Sequence, residues 1–225
     1  METAGVDMIE MQCVAVFGGS GKTGQELISI ALKKGLKVRA LYRPGSEPRE
    51  SPPGLDIITG QVNEPADIRK TLEGTNGSIV VFGPRLGKRN NPQPFCADAT
   101  AKIVAEMKKA GISRLIVQTG AMAGGGDAPN LSKGVRRFSA RYKRDYPAIY
   151  ADRESQEAVT RESGLDWTLV RPFRIANGRG KGNPKIAQSV KIGMFTSIRR
   201  TDLAEFEIAE VLAGRFHNQV VYIAN

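Results

Sequence analysis

The 225-residue chain is poor in aromatics, at 6%, and has one tryptophan, one histidine and two cysteines. Cys13 and Cys96 lie far apart and are too few for a disulfide framework, so they read as reduced thiols of a cytosolic protein. No apolar run approaches the roughly 20 residues that span a bilayer. The opening METAGVDMIEMQ has neither a basic n-region nor an Arg-rich amphipathic pattern, so a soluble, cytoplasmic protein without a membrane partner is expected. No cluster of His, Cys and carboxylates has metal-ligand spacing, so no metal is expected, and the lone His217 reads as a surface residue near a turn. Acid is also in deficit: 33 Lys and Arg stand against 23 Asp and Glu, for a net charge of +10. That balance fits nucleic acid, an acidic membrane surface or anionic small molecules, and alone it selects none of them.

What the chain does have is alternation. Short apolar runs, VAVFG (14–18), KVRALYR (37–43), LDIIT (55–59), SIVVFG (78–83), RLIVQT (114–119), DWTLVRP (166–172) and QVVYIA (219–224), read as strands. Helical stripes at 25–34, 64–72, 96–110, 149–162 and 201–213 fall between them, the last opened by Thr201 as its cap. Strands alternating with helices predict an α/β, Rossmann-type, doubly wound and mostly parallel sheet in a single domain over 1–225. The pattern lapses at 121–146, where glycines precede a basic stretch; this reads as an excursion over the sheet.

Between the first strand and the first helix stands Gly18-Gly19-Ser20-Gly21-Lys22-Thr23-Gly24, with G-x-G-x-x-G spacing at Gly19, Gly21 and Gly24. In that context glycines permit a tight turn, close backbone approach to a pyrophosphate and tight helix packing, with phosphate on the helix N-terminus. Gly21-Lys22-Thr23 also ends like a P-loop, but the leading glycine would have to stand at Val16, inside the strand. The other reading is a turn with no ligand. At the end of the second strand, where an NAD site places a carboxylate, the chain has Leu41-Tyr42-Arg43. Arg43 suits a 2′-phosphate, so NADPH is the expected cofactor; the alternative is a solvated strand-end arginine.

These features, with Gly60-Gln61-Val62, Phe82-Gly83-Pro84-Arg85 and the run Ser163-Gly164-Leu165-Asp166-Trp167-Thr168-Leu169-Val170-Arg171-Pro172, resemble the atypical short-chain dehydrogenases of the NAD(P)H-binding, NmrA-like group, which includes biliverdin IXβ reductase/flavin reductase. The resemblance covers nearly the whole chain. It implies that Gly18 to Gly24 bind the pyrophosphate and Arg43 the 2′-phosphate. It further implies that Gln61 and Val62 border the adenine, that Gly83, Pro84 and Arg85 line the cofactor, and that Pro172 and Phe173 face the nicotinamide.

The departures bear on chemistry. Biliverdin IXβ reductase carries Thr-Ser after its fifth strand, whereas this chain has Thr119-Gly120, and there is no Tyr-x-x-x-Lys pair. The nearest counterparts are Tyr150 and Arg153, one helical turn apart, with Glu157 a turn further. Tyr150 is a candidate acid, with Arg153 stabilising its phenolate, or else a partly buried aromatic. Thr119 is a candidate donor or a cofactor contact. Thr119, Met122, Tyr150 and Phe173 are the expected pocket.

The stretch Lys133, Arg136, Arg137, Arg141, Lys143 and Arg144 reads either as a cationic lid drawing in an anionic small-molecule substrate or as a solvated helix face. Phe138 and Tyr142 interleave with it, but no nucleic-acid reading motif accompanies them, so that partner is not expected. The leading expectation is an NADPH-dependent reductase of a flavin, quinone or tetrapyrrole type of acceptor, which takes its proton from solvent and needs little help from a protein acid. The alternatives are a redox-silent NADP-binding sensor or scaffold, and a non-redox cyclase or isomerase. Oligomeric state is left open.

Overall fold

The computed structural model describes residues 13–83, 94–123 and 130–225. Alternation along the strands builds both layers of the core. In β1 (Cys13–Phe17) Val14 and Val16 pack on one face, Ala15 and Phe17 on the other, and the whole strand is buried. Then follow α1 (Lys22–Lys33), β2 (Lys37–Tyr42), β3 (Leu55–Thr59), α2 (Pro65–Leu72), β4 (Gly77–Val80), α3 (Cys96–Lys109) and β5 (Arg114–Gln118). Helices α4 (Lys133–Asp145) and α5 (Pro147–Arg161) precede β6 (Asp166–Pro172) and the short strands β7 (Ile175–Ala176), β8 (Lys185–Ala187) and β9 (Ile198–Arg199). Helix α6 (Arg200–Ala213) and β10 (Gln219–Ala224) complete the order.

The main sheet runs β3-β2-β1-β4-β5-β6-β10-β8, parallel except for β8, which lies antiparallel on the β10 edge. Strand order reverses between β1 and β4, and ligands of doubly wound sheets bind in the crevice at such a switch point. Helices α1 and α6 cover one face with Leu27, Ile28, Leu203 and Phe206, and α2 and α3 cover the other with Ile68, Leu72, Ile103 and Met107. Each such side chain contributes about 1.5–3 kcal/mol by leaving water. Burial against the sheet therefore holds helices as short as α2, which propensity alone would not.

The expected strands and helices are all present, with three differences. Helix α1 begins at Lys22, not at 25, so Lys22, Thr23 and Gly24 belong to its first turn; Gly24, a poor helix former, hides that start. Thr201 is not the cap of α6: Arg199 stands there without a side-chain cap, and the Thr201 hydroxyl donates instead to Glu26 Oε1 at 2.7 Å, tying α6 to α1. The excursion contains a regular helix, α4, capped by Ser132 Oγ, which accepts from the Val135 N–H at 3.3 Å. Its apolar residues Val135, Phe138 and Tyr142 fall at helical spacing, but cations crowd them and only Val135 and Ser139 of α4 are buried.

Candidate functional site

The turn after β1 is built by three different uses of glycine. Gly18 adopts φ +106°, and a Cβ there would meet Phe82 N at 2.9 Å. The Gly21 N–H closes the turn on Gly18 O at 3.0 Å. Gly24 seats α1 on the turn: a Cβ would fall 2.2 Å from Gly18 O. Helix α1 thus starts hard against β1 with no side-chain cap and no acid in its first turn, leaving its first N–H groups and the positive end of its dipole for an external anion. The contrast is α3, whose N-terminus is already filled: Asp152 accepts from the N–H groups of Phe95, Cys96 and Ala97 at 3.1, 2.9 and 2.9 Å.

A cavity of about 890 Å³ opens in front of the α1 N-terminus. Gly18, Ser20, Gly21, Lys22 and Thr23 line it, while Gly19 and Gly24 lie buried behind. Arg43 lines it beyond β2, Gln61 and Val62 beyond β3, and Gly83 beyond β4. Pro84 and Arg85 fall outside the described residues. Sequence reasoning missed Arg200, which donates Nη1 to Thr23 Oγ1 at 2.7 Å and Nη2 to Asn177 Oδ1 at 3.1 Å on the cavity wall. Lys22, Arg43 and Arg200 thus face one carboxylate, Asp98, which is held by Lys102 at 2.7 Å. Glycine backbone, free helix N–H groups and this excess of cations fit the pyrophosphate and phosphates of a dinucleotide.

The profile of the NAD(P)H-binding family matches residues 18–213, from the glycine turn to the end of α6. The chain belongs to the NAD(P)H-binding family. Among relatives, the NAD(P)H azoreductase of Xenophilus azovorans is 26% identical over 160 residues, 71% of this chain and 47% of the azoreductase. The chain thus aligns with about half the length of that relative. A short-chain dehydrogenase/reductase of Veillonella parvula, solved in complex with NADP, superposes with TM-score 0.77 at 17% identity, covering 96% of this chain and 95% of its own. The anaerobillin reductase ChuY of Escherichia coli superposes with TM-score 0.72 at 20% identity, covering 94% and 96%. At these identities the structural likeness is one of fold.

Within this NAD(P)H-binding fold, Thr119 and the expected catalytic pair do not line the cavity. Thr119 Oγ1 donates to Glu157 Oε1 at 2.8 Å. Glu157 is fully buried and also receives Arg161 Nη2 and Arg171 Nε, each at 2.8 Å, and Arg171 Nη2, while Arg171 Nη1 donates to the Tyr222 hydroxyl at 2.8 Å. The signal for this network was legible: an arginine inside the apolar strand TLVRP must find a buried acid.

Tyr150 is buried, its ring 6.3 Å from that of Tyr142 with Lys143 Nζ 4.9 Å above it. Arg153 donates instead to Gln156 Oε1 at 2.6 Å and lays Nη2 over Gly83, where a Cβ would meet it at 2.2 Å. Tyr150 and Arg153 are not hydrogen-bonded to each other.

Among the described residues the nearest atom to a Cβ on Gly120 is Pro172 O, at 3.8 Å. Phe173 meets Phe138 edge-on at 6.4 Å and packs with Ala121, Leu131 and Tyr222, and Met122 is half-buried beside Ala121. A second cavity of about 960 Å³ lies over β6 and β10, with Trp167, Arg161, Arg171 and Lys191 on its walls. His217 is exposed and sits 2.8 Å from Asp166 Oδ1. Cys13 and Cys96 are buried free thiols, and burial pushes the Cys96 thiol up to about 12, out of reach of nucleophilic work near neutrality. Among the described residues no group of three His, Cys, Asp or Glu could hold a metal ion.

Proposed function

We propose that the chain is an NADPH-dependent reductase of small conjugated acceptors of the flavin, quinone, tetrapyrrole or azo kind. One observation carries the reading: an uncapped α1 N-terminus opens into a cavity edged by Lys22, Arg43 and Arg200. Bound there, the cofactor would supply the hydride. The chain's part is to seat the pyrophosphate on the turn from Gly18 to Gly24, to pair the 2′-phosphate with Arg43, and to border the adenine with Gln61 and Val62. Gly83 lines the groove beyond, toward Pro172 and Phe173 at the nicotinamide end. The names of an azoreductase and an anaerobillin reductase among the similar proteins support an acceptor that carries extended conjugation. Buried, unbridged thiols fit a reducing compartment such as the cytoplasm.

Because the Thr119 hydroxyl donates its hydrogen bond to Glu157 and Gly120 offers no hydroxyl, an acceptor protonated from solvent fits better than a carbonyl needing an acid. The same observation favours a second reading, a redox-silent NADP sensor. NADPH oxidation with a flavin, a quinone, a bilin and an azo dye separates the two: turnover with any supports the reductase, and binding without turnover supports the sensor. Cofactor choice is tested by titration. NADPH should bind at least about tenfold more tightly than NADH, the worth of one charge-assisted pair, and Arg43→Glu should reverse the order. Equal affinities in the unmodified chain would refute the role of Arg43.

A further inference from the structure

Helix α4 presents cations over the arc away from its packed face. Val135 and Ser139 are buried, whereas Lys133, Arg137, Arg141, Lys143 and Arg144 are exposed. At about 3.6 residues per turn Lys133, Arg137, Arg141 and Arg144 spread over the arc opposite the buried pair, while Lys143 lies on the packed side with its Nζ over the Tyr150 ring. The one carboxylate of the helix, Asp145, is taken by Arg141 and Arg144. Lys133 and Arg137 form no ion pair among the described residues.

Beside this arc stands an apolar tip. A turn over Gly193, Met194, Phe195 and Thr196 is held by the Gly193 N–H donating to Thr196 Oγ1 at 2.8 Å and the Thr196 N–H donating to Gly193 O at 3.1 Å. Its corners are Met194, 40% exposed, and Phe195, 92% exposed. Polar residues, glycine and proline are the usual occupants of such corners. Met194 rests on the first turn of α4, where a Cβ on Gly134 would meet its Cγ at 3.0 Å. Phe138, 43% exposed and one helical turn beyond Gly134, extends the apolar strip along the same flank.

We propose that this face docks the protein on anionic lipid bilayers, with Phe195 entering the headgroup boundary and the α4 cations lying over lipid phosphates. Apolar residues beside a basic helix face are the two parts of interfacial binding: one supplies apolar burial, the other attraction to the charged leaflet. A second copy of the chain is a poor occupant, because the arc would face its own sign. The attachment is to the surface, since no helix among the described residues is long and apolar enough to cross a membrane. The proposal is independent of what the cofactor site does.

Cosedimentation of the full chain with phosphatidylcholine vesicles, with and without phosphatidylglycerol, tests it. Binding should require phosphatidylglycerol and weaken as salt is raised. Phe195→Ser should lower the affinity about tenfold, the transfer of part of one aromatic ring. Lys133→Ser with Arg137→Ser should lower it about thirtyfold, at roughly fivefold per cation. The control pair Lys33→Ser with Lys34→Ser, at the far end of α1, should leave it within about threefold. Unchanged thermal midpoints and NADPH binding show that the variants fold. The proposal is overturned by no vesicle binding, by an equal loss in the control pair, or by binding to single-stranded RNA with none to the vesicles.

Discussion

Two glycines at the site obey opposite constraints. Gly24 has backbone 2.2 Å from where a Cβ would stand, and that atom, Gly18 O, is fixed by the turn. Gly24→Ala should therefore cost about 1–3 kcal/mol or more in overpacking and abolish NADPH binding. Gly120 has no close neighbour among the described residues, so Gly120→Ser should change stability by no more than about 0.5 kcal/mol and leave NADPH affinity unchanged. Denaturant unfolding and cofactor titration on both variants check this; comparable losses would contradict the geometry. Spacing alone made the turn legible, because both the glycines and their strand–helix context are local. Arg200 was not legible: it reaches Thr23 across 177 positions of chain, and nothing in its own neighbourhood marks it as a wall of the cavity.

At the scale of the element, α6 carries a cost that its packing offsets. Glu207 is fully buried, neither carboxyl oxygen has a hydrogen-bond partner among the described residues, and burial raises its pKa well above the ordinary value. An unfolded glutamate releases its proton near about 4.3. Above that value the folded state holds a proton that the unfolded state has lost, so stability falls as pH rises, until the folded-state pKa is passed. Glu207→Gln keeps the shape of the neutral acid and removes the slope. Its thermal midpoint should exceed that of the unmodified chain near neutrality, and the two should converge below the ordinary glutamate value. Parallel curves would show that the carboxyl is charged in the folded protein.

Asp202, in the same helix, behaves in the opposite way. Burial pushes it up, but the N–H groups of Lys181 and Gly182 and the Asn225 amide outweigh burial and hold it low. Its contribution is present above the ordinary carboxylate range and is lost as pH falls through its depressed value. Neither environment was legible in sequence, where both residues read as helical acids. What separates them is contact with backbone donors from a distant loop. Element existence was legible throughout the parallel sheet, since each of those strands carries an apolar run, fully buried in β1, β4 and β5 and interrupted by exposed residues in β2 and β3. The strands β7, β8 and β9 were not, because two or three residues leave no period.

For the molecule as a whole, cofactor occupancy and core exposure are linked. Cys96 is buried at the N-terminus of α3, and its thiol becomes reactive only when the protein opens. NADP present at about a hundred times its Kd stabilises the native state by about 2.7 kcal/mol, and so should slow alkylation of Cys96 about a hundredfold where reclosing outpaces reaction. Mass-spectrometric labelling rates with and without NADP read this directly; a rate indifferent to NADP would mean that Cys96 is reached by local opening at α3.

The two segments outside the parallel frame, the excursion after β5 and the stretch after β6, are stitched to each other. Ser132 N–H donates to Ile192 O and Ile192 N–H to Asn130 O, each at 2.9 Å, and the Asn130 amide donates to Val190 O at 2.8 Å. Together they wall the second cavity, while the glycine turn and the strand ends around the first belong to the frame. The fold is thus divided into a frame and a cassette: the stitched pair can change in concert and re-shape what the molecule meets at that end, and Asn177, which holds Arg200 at 3.1 Å, is a route by which such a change reaches the groove at the α1 N-terminus.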